Sequence, residues 1–307
     1  MAAEFRVTLL GTGVPIPNPQ RFGPATLIEA GDQTILIDAG RGVTMRLFQL
    51  GIPIGRVDAL LLTHFHSDHT VGIPDLWLTG WLSSYFAARR RPFHVVGPTG
   101  TSQLMRHLEA AYSRDIEIRV ADEKLSREYA AITTHEFEED GVVYEAGGLR
   151  VTAFTVDHGA AITPACGYRI DYASHSVVIS GDTRYNENVV KFGTGVDLLI
   201  HEVAMAPSEL LEEASIRRIL NHHTSPREAG LVFARARPKL AVYTHLVLLA
   251  GENIAAPSIV ELIAQTRETY DGPLEVGEDL TSFEIADGVA VRRPPEFSPF
   301  LSRDKRR

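Results

Sequence analysis

Thr63-His64-Phe65-His66-Ser67-Asp68-His69 places three imidazoles and a carboxylate in one short run. It follows Ala59-Leu60-Leu61-Leu62, an apolar stretch too short for a helix, which reads as a strand covered on both faces. A strand end is a rigid place from which side chains converge on one point. His64 and His66 share a face if the chain stays extended. Asp68 and His69 follow in a predicted turn ahead of a helix, a layout that can present two ligand pairs to two neighbouring ions. Neutral imidazole and carboxylate suit Zn²⁺ and tolerate Fe, Mn or Co. A site of this kind without thiolates is of the catalytic rather than the structural type.

Further along, other candidate ligands also follow strand-like runs. Residues 151–156 lead into Asp157-His158, 177–180 into Gly181-Asp182, and 240–244 into His245. Strands are expected at 6–10, 25–29, 34–38, 59–63, 94–97, 151–156, 165–171, 176–180, 198–201 and 240–244. Gly31-Asp32 reads as a hairpin turn. Helical spacing of apolar residues is found at 43–50, 74–81, 101–112, 208–219, 226–236 and 257–270. Ser225-Pro226 and Ala256-Pro257-Ser258 look like helix starts. The acidic, glycine-rich segment 136–148 reads as an exposed loop or hairpin. With no repeat and no Pro/Gly/Ser linker, the expectation is sheet layers covered by helices in one domain, residues 1–307.

Composition narrows the class. The chain has 307 residues, 44% hydrophobic and 22% charged, which is ordinary for a globular protein. Its formal net charge of −9 argues against a broad nucleic-acid surface. Arg89-Arg90-Arg91 and Lys305-Arg306-Arg307 are too short for a phosphate track and read as a solvated loop and tail. A single cysteine, Cys166, excludes an internal disulfide and a thiolate-only metal site, and fits a reducing compartment. Residues 1–10 lack a signal-peptide layout, and no stretch of about eighteen uncharged apolar residues occurs. A cytoplasmic protein without a membrane span is the expectation.

The motif set resembles the metallo-β-lactamase superfamily, whose signature is HxHxDH, a later His, a later Asp and a final His. His64, His66, Asp68, His69, His158, Asp182 (in Ser180-Gly181-Asp182-Thr183) and His245 match it in order. Within the superfamily the chain is most similar to the tRNase Z and type III arylsulfatase branch. The similarity lies in Leu9-Leu10-Gly11-Thr12-Gly13, Ile37-Asp38-Ala39-Gly40, Gly181-Asp182-Thr183, His201-Glu202-Val203-Ala204 and His222-His223-Thr224-Ser225.

The resemblance implies an α/β fold, a four-layer αβ/βα sandwich, with two metal ions at one edge. These would be two Zn²⁺, with Mn, Fe or Co as alternatives. His64, His66 and His158 would hold the first ion, and Asp68, His69 and His245 the second, with Asp182 bridging them. Asp68, Glu202 and His223 are the candidate catalytic residues. Asp38 would support the metal loop from behind. A homodimer is implied in the same way. His201 reads as structural, His222 is open between surface and site, and His94, His107, His135 and His175 read as surface or packing residues.

Such a centre implies a hydrolase that uses a metal-bridging hydroxide. The expected substrate is a small, aromatic or apolar molecule with an ester-type bond: a sulfate ester, a phosphodiester, or a carboxylic ester or lactone. The closing Gly277-Glu278-Asp279-Leu280 and Phe283-Glu284-Ile285 look like the arylsulfatase-like group. Against tRNA stand the acidic charge and the absence of a glycine- and lysine-rich arm between His158 and Asp182. The apolar stretch after His245, Leu246-Val247-Leu248-Leu249, points the same way, and Trp77, Trp81, Tyr85 and Phe86 line the pocket mouth or serve as core or dimer contact. The alternatives are a tRNase Z-type 3′ tRNA endonuclease, leaving nucleic acid as a partner, and a non-hydrolytic metal-binding or redox protein. The redox reading calls for a flavodoxin-like partner domain, for which no room is expected after Arg307.

Overall fold

Two twisted sheets lie face to face in the computed structural model, which describes residues 4–294. The first sheet contains β1 (Phe5–Gly11), β2 (Ala25–Ala30), β3 (Gln33–Ile37), β4 (Ala59–Leu61), β5 (Phe93–Pro98), β6 (Ile132–Phe137), β14 (Ser282–Ile285) and β15 (Val289–Arg292). Their order is β15-β14-β1-β2-β3-β4-β5-β6. The second contains β7 (Gly141–Ala146), β8 (Leu149–Thr155), β9 (Cys166–Tyr172), β10 (His175–Ile179), β11 (Leu198–Met205), β12 (Leu240–Leu248) and β13 (Leu274–Val276), ordered β13-β12-β11-β10-β9-β8-β7. In each sheet an antiparallel meander passes into parallel strands: β3 to β6 in the first, β10 to β13 in the second.

Side-chain alternation explains the layers. Val7, Ile28, Ile35 and Leu61 point from the first sheet into a shared core with Val151, Ile170, Ile200 and Val242 of the second. The opposite faces carry Leu27, Leu36 and Leu60 on one sheet, and Leu199, Ala241 and Tyr243 on the other. Helices cover those faces. The first sheet packs against α1 (Val43–Gln49), α3 (Ile73–Trp81) and α4 (Thr101–Ala111), with α5 (Ser113–Asp122) and α6 (Arg127–Ala130) beside them. The second is covered by α7 (Glu187–Gly193), α9 (Pro226–Ala236) and α10 (Ile259–Thr266). A short α2 (Ser67–Thr70) follows β4, and α8 (Ala214–Leu220) precedes α9. This is the helix–sheet–sheet–helix sandwich expected from the sequence. Each fully buried Leu, Ile or Val contributes roughly 1.5–3 kcal/mol.

Some local expectations need correction. The helix predicted at 208–219 breaks into a 3₁₀ turn at Ser208–Leu210 and α8, because Glu213 takes an extended backbone. The helix expected at 257–270 spans only α10, which Ser258 and Glu261 start with a capping box. Of the two readings of 136–148, the hairpin is the one found: the segment holds the end of β6, then β7 and its turn into β8. Arg89 is not solvated: it is 2% exposed, and its guanidinium donates to the carbonyls of Arg91 and Tyr129. Burial beside Arg91 lowers its pKa to about 10. Residues 305–307 fall outside the described residues. Among the described residues no helix is long and apolar enough to cross a membrane.

Both sheets deliver their parallel strands to one edge. Asp38 follows β3, His64 follows β4, and Asp182 follows β10, while Glu202 and His245 lie within β11 and β12. Catalytic groups of open α/β sheets gather at such carboxyl ends.

Candidate metal centre

A bulge aims His245. β11 and β12 pair in parallel as far as His201 and Tyr243, then resume at Val203 and Leu246. Thr244 and His245 thus oppose Glu202 alone, and the extra residue bends the ladder. His245 sits there with φ 44°, a left-handed conformation that costs a non-glycine residue roughly 1–3 kcal/mol. Asp38 is likewise left-handed, at φ 62°.

Two groups of donors converge. His64 Nε2 and His66 Nδ1 stand 3.0 Å apart, and His158 Nε2 is 3.4 Å from His66 Nδ1. Asp182 Oδ2 lies 3.7 Å from His158 Nε2 and 4.0 Å from His64 Nε2. The same oxygen lies 3.4 Å from His69 Nε2 and 3.2 Å from His245 Nε2. Asp68 Oδ2 completes the second group, 3.6 Å from His69 Nε2 and 3.3 Å from His245 Nε2. Donors about 2.0–2.1 Å from a tetrahedral ion stand roughly 3.4 Å from one another. The spacing therefore fits a cation in each group, with Asp182 common to both. His69 Nε2 is buried and makes no hydrogen bond, as a nitrogen with its lone pair free for a metal would be.

The surroundings fix the tautomers. Asp38 accepts from Thr63 N at 2.8 Å, Thr63 Oγ1 at 2.8 Å and His69 Nδ1 at 2.7 Å. Because Thr63 Oγ1 donates to Asp38, it accepts from His64 Nδ1 at 3.0 Å. One carboxylate thus leaves Nε2 of both His64 and His69 unprotonated and aimed inward when a cation is present. His158 Nδ1 donates to the His222 carbonyl at 2.7 Å, with the same result for its Nε2. Asp38→Ala is expected to weaken metal binding by about 10–100-fold. Calorimetric titration of the metal-free protein checks this.

Without a cation the electrostatics divide the donors. Burial holds His64 well below its usual range and takes His158 down to about 4, so both are neutral donors. Burial also lowers His66. For His69 burial is outweighed by Asp182 and Asp38, which hold the imidazole well above its ordinary value. Burial alone would raise Asp182, but His245, His69 and His64 keep it well below the carboxylate range.

Glu202 and His223 form a separate pair beside the cluster. Glu202 Oε1 accepts from Thr224 N at 2.9 Å and Thr183 N at 3.3 Å, which ties the 182–184 and 222–225 loops together. Glu202 Oε2 accepts from His223 Nδ1 at 3.1 Å. A ring nitrogen of His223 lies within 4.8 Å of the Asp182 and His245 donor atoms. Burial pushes His223 down, but Glu202 outweighs it and holds the imidazole up at about 9.

Two further histidines, read from the sequence as structural (His201) and as open between surface and site (His222), stand beside this pair. His201 is fully buried, and its Nδ1 donates to the Glu202 carbonyl at 2.6 Å, bracing the bulge. His222 is half-buried, its ring 5.1 Å from that of His158. A cavity of about 30 Å³ lies behind the cluster, bounded by Asp38, Asp182, Glu202 and His245. It is too small for a substrate group, while His66 and His222 are partly exposed. A surface concavity of about 720 Å³ along 145–150 and part of β9 contains none of the candidate ligands.

Trp77 and Trp81 do not line the mouth. They are 0% and 1% exposed, and their indole N–H groups donate to the carbonyls of Ala130 and Ser126. Leu246, Val247 and Leu249 are buried as well, in packing clusters with Ala204, Leu210 and Val203. Their apolarity serves the core.

A family model described as "Beta-lactamase superfamily domain" matches residues 33–246. The chain belongs to the metallo-β-lactamase superfamily. Curated relatives include ribonuclease Z of Mycolicibacterium gilvum, 36% identical over 94% of this chain and 99% of that protein. Ribonuclease Z of Mycobacterium sp. (strain KMS) is 33% identical, again over 94% of this chain and 99% of that protein. Among solved structures, the metallo-β-lactamase fold protein YhfI of Bacillus subtilis superposes with a TM-score of 0.70 at 21% identity, covering 91% of this chain and 98% of its own. The short form of human tRNase Z gives 0.64 at 21% identity, covering 90% of this chain and 98% of its own. Membership of this metallo-hydrolase superfamily implies a divalent metal, and the converging His and Asp side chains are suited to hold one.

Proposed function

We propose that this metallo-β-lactamase superfamily member is a two-metal phosphodiesterase of the ribonuclease Z type that cleaves precursor tRNA at its 3′ end. The similarity to proteins named ribonuclease Z, over nearly the whole of both chains, carries this reading. The small-molecule ester substrate expected from the sequence loses support, because Trp77, Trp81, Leu246, Val247 and Leu249, among the residues cited for it, are packed into the core. Net charge averages over the whole surface and does not describe the mouth of one site.

His64, His66 and His158 would hold one zinc ion and Asp68, His69 and His245 the other, with Asp182 shared. Bound ions supply a nucleophile at neutral pH and a positive field at the phosphate oxygens. The chain's residues do the rest. Asp38, Thr63 and the His222 carbonyl keep the ligand nitrogens aimed, so no reorganisation is needed at the moment of reaction. Glu202 holds His223 with its Nδ1 occupied, which leaves Nε2 to give a proton to the departing ribose oxygen. Asp68, beside His69 and His245, would hold an ion and could accept a hydrogen bond from the attacking water. No arm projects between His158 and Asp182, because β9 and β10 fill most of that interval as a tight hairpin. RNA must be gripped by other segments.

The test compares substrates on the zinc-loaded protein. Precursor tRNA with a 3′ trailer should be cut once, at the trailer junction, with kcat/KM well above that for aryl sulfate, aryl acetate, lactone or bis-aryl phosphate. Turnover of any of those small esters with no cleavage of the precursor would end the reading.

A further inference from the structure

Asp279 lies in the turn between β13 and β14, far along the chain from every candidate ligand except His245, and is 7% exposed. Its carboxylate is crowded with donors. Oδ1 accepts from Thr12 N and Thr12 Oγ1, both at 2.9 Å. Oδ2 accepts from Phe22 N at 2.7 Å and from Arg46 Nε and Nη2 at 3.2 and 2.7 Å. The Arg46 guanidinium stacks on the Phe22 ring at 3.8 Å. Arg21 Nη1 adds a tie from Thr12 Oγ1 to the Gly277 carbonyl, at 2.6 and 2.7 Å. One buried carboxylate therefore pins both ends of the loop between β1 and β2.

That loop runs to the back of the second donor group by two routes. The Thr12 carbonyl accepts from Leu246 N at 3.1 Å, next to the left-handed His245. At the other end, Gly23 N donates to Arg41 O at 3.2 Å and Pro24 O accepts from Gly40 N at 2.9 Å. Gly40 leaves no space: a Cβ there would fall 2.6 Å from the Asp68 carbonyl oxygen. Ala39 N then donates to His69 O at 2.8 Å. The two routes end on His245 and on Asp68 and His69. Among the described residues, none of these bonds goes to His64, His66 or His158.

We propose that Asp279 is a positioning residue for one ion of the pair: through Thr12 and the 22–24 segment it holds Asp68, His69 and His245 in place from behind. This rests on the two-ion reading above. Asparagine at 279 sets an N–H₂ against the Thr12 or the Phe22 and Arg46 donors, whichever way the amide turns.

The experiment titrates Zn²⁺ into metal-free wild type, Asp279→Asn, Thr12→Val and Thr12→Ser by calorimetry, with circular dichroism to report the fold. Wild type should take two ions. Asp279→Asn and Thr12→Val should keep one site near wild-type affinity and weaken the other by about 10–100-fold, while Thr12→Ser, which retains the hydroxyl, should match wild type. Should Asp279→Asn fail to fold, Thr12→Val decides. Two sites weakened alike, or neither weakened, would overturn the proposal. A wild type with a single site would instead remove the two-ion reading, and the proposal with it.

Discussion

Asp182→Asn is expected to empty the site of metal and to lower kcat on precursor tRNA by on the order of 10³-fold or more. One oxygen of this carboxylate faces His69, His245, His158 and His64 at 3.2–4.0 Å, so it serves both donor groups at once. The amide keeps the shape but removes the only charge shared by the two. Its N–H₂ group, turned inward, would point a proton at an incoming cation. Elemental analysis after gel filtration reads the metal, and circular dichroism reads the fold. A variant that holds two ions and turns over at a near-normal rate would remove Asp182 from the bridge.

His223→Ala should behave in the opposite way. Two ions remain bound, and kcat on RNA falls by about 10²–10⁴-fold, the usual worth of a placed proton donor. The side chain lies on the leaving-group side of the proposed reaction, held by Glu202 rather than by any ligand loop. A second substrate sharpens the test. A bis-aryl phosphate expels a phenolate that departs without protonation, so even slow turnover of this probe should be nearly unaffected by the substitution. Equal losses on both substrates would assign His223 to binding or structure. Glu202→Gln should follow His223→Ala on RNA, with added destabilisation because Glu202 also receives the Thr183 and Thr224 amides.

Much of this site could be read from the sequence because its residues sit where strands stop. His64, His158 and Asp182 each follow an apolar run; β4 is buried throughout and β10 over its last three residues, while β8 exposes Arg150 and Thr155 and is otherwise buried or half-buried. His245 illustrates the limit. Its run continues past it to Leu248, so the sequence suggests a strand end where there is a bulge, and no local pattern announces the left-handed residue. The same ambiguity misplaced the substrate. Leu246, Val247 and Leu249 look like a pocket wall when read as a loop, but they are core once the strand continues. Trp77 and Trp81 pose the related problem that a helical stripe of aromatics reads alike whether it faces a pocket or a neighbouring layer. Asp279 was visible only as part of a motif, since its partners Thr12, Phe22 and Arg46 lie hundreds of positions away.

The placement of the donors on two sheets has a consequence for how the molecule comes apart. His64, His66, Asp68 and His69 belong to the loop after β4, whereas His158, Asp182 and His245 come from the other sheet. Any ion held by either group is a clasp between the two halves, and separating the sheets must release it. Chelation and unfolding are then thermodynamically linked. Each ion at a hundredfold excess over its dissociation constant adds about 2.7 kcal/mol against opening. A chain short of its metal would accordingly lose not only turnover but also its resistance to proteases, whose substrate is the transiently opened sandwich.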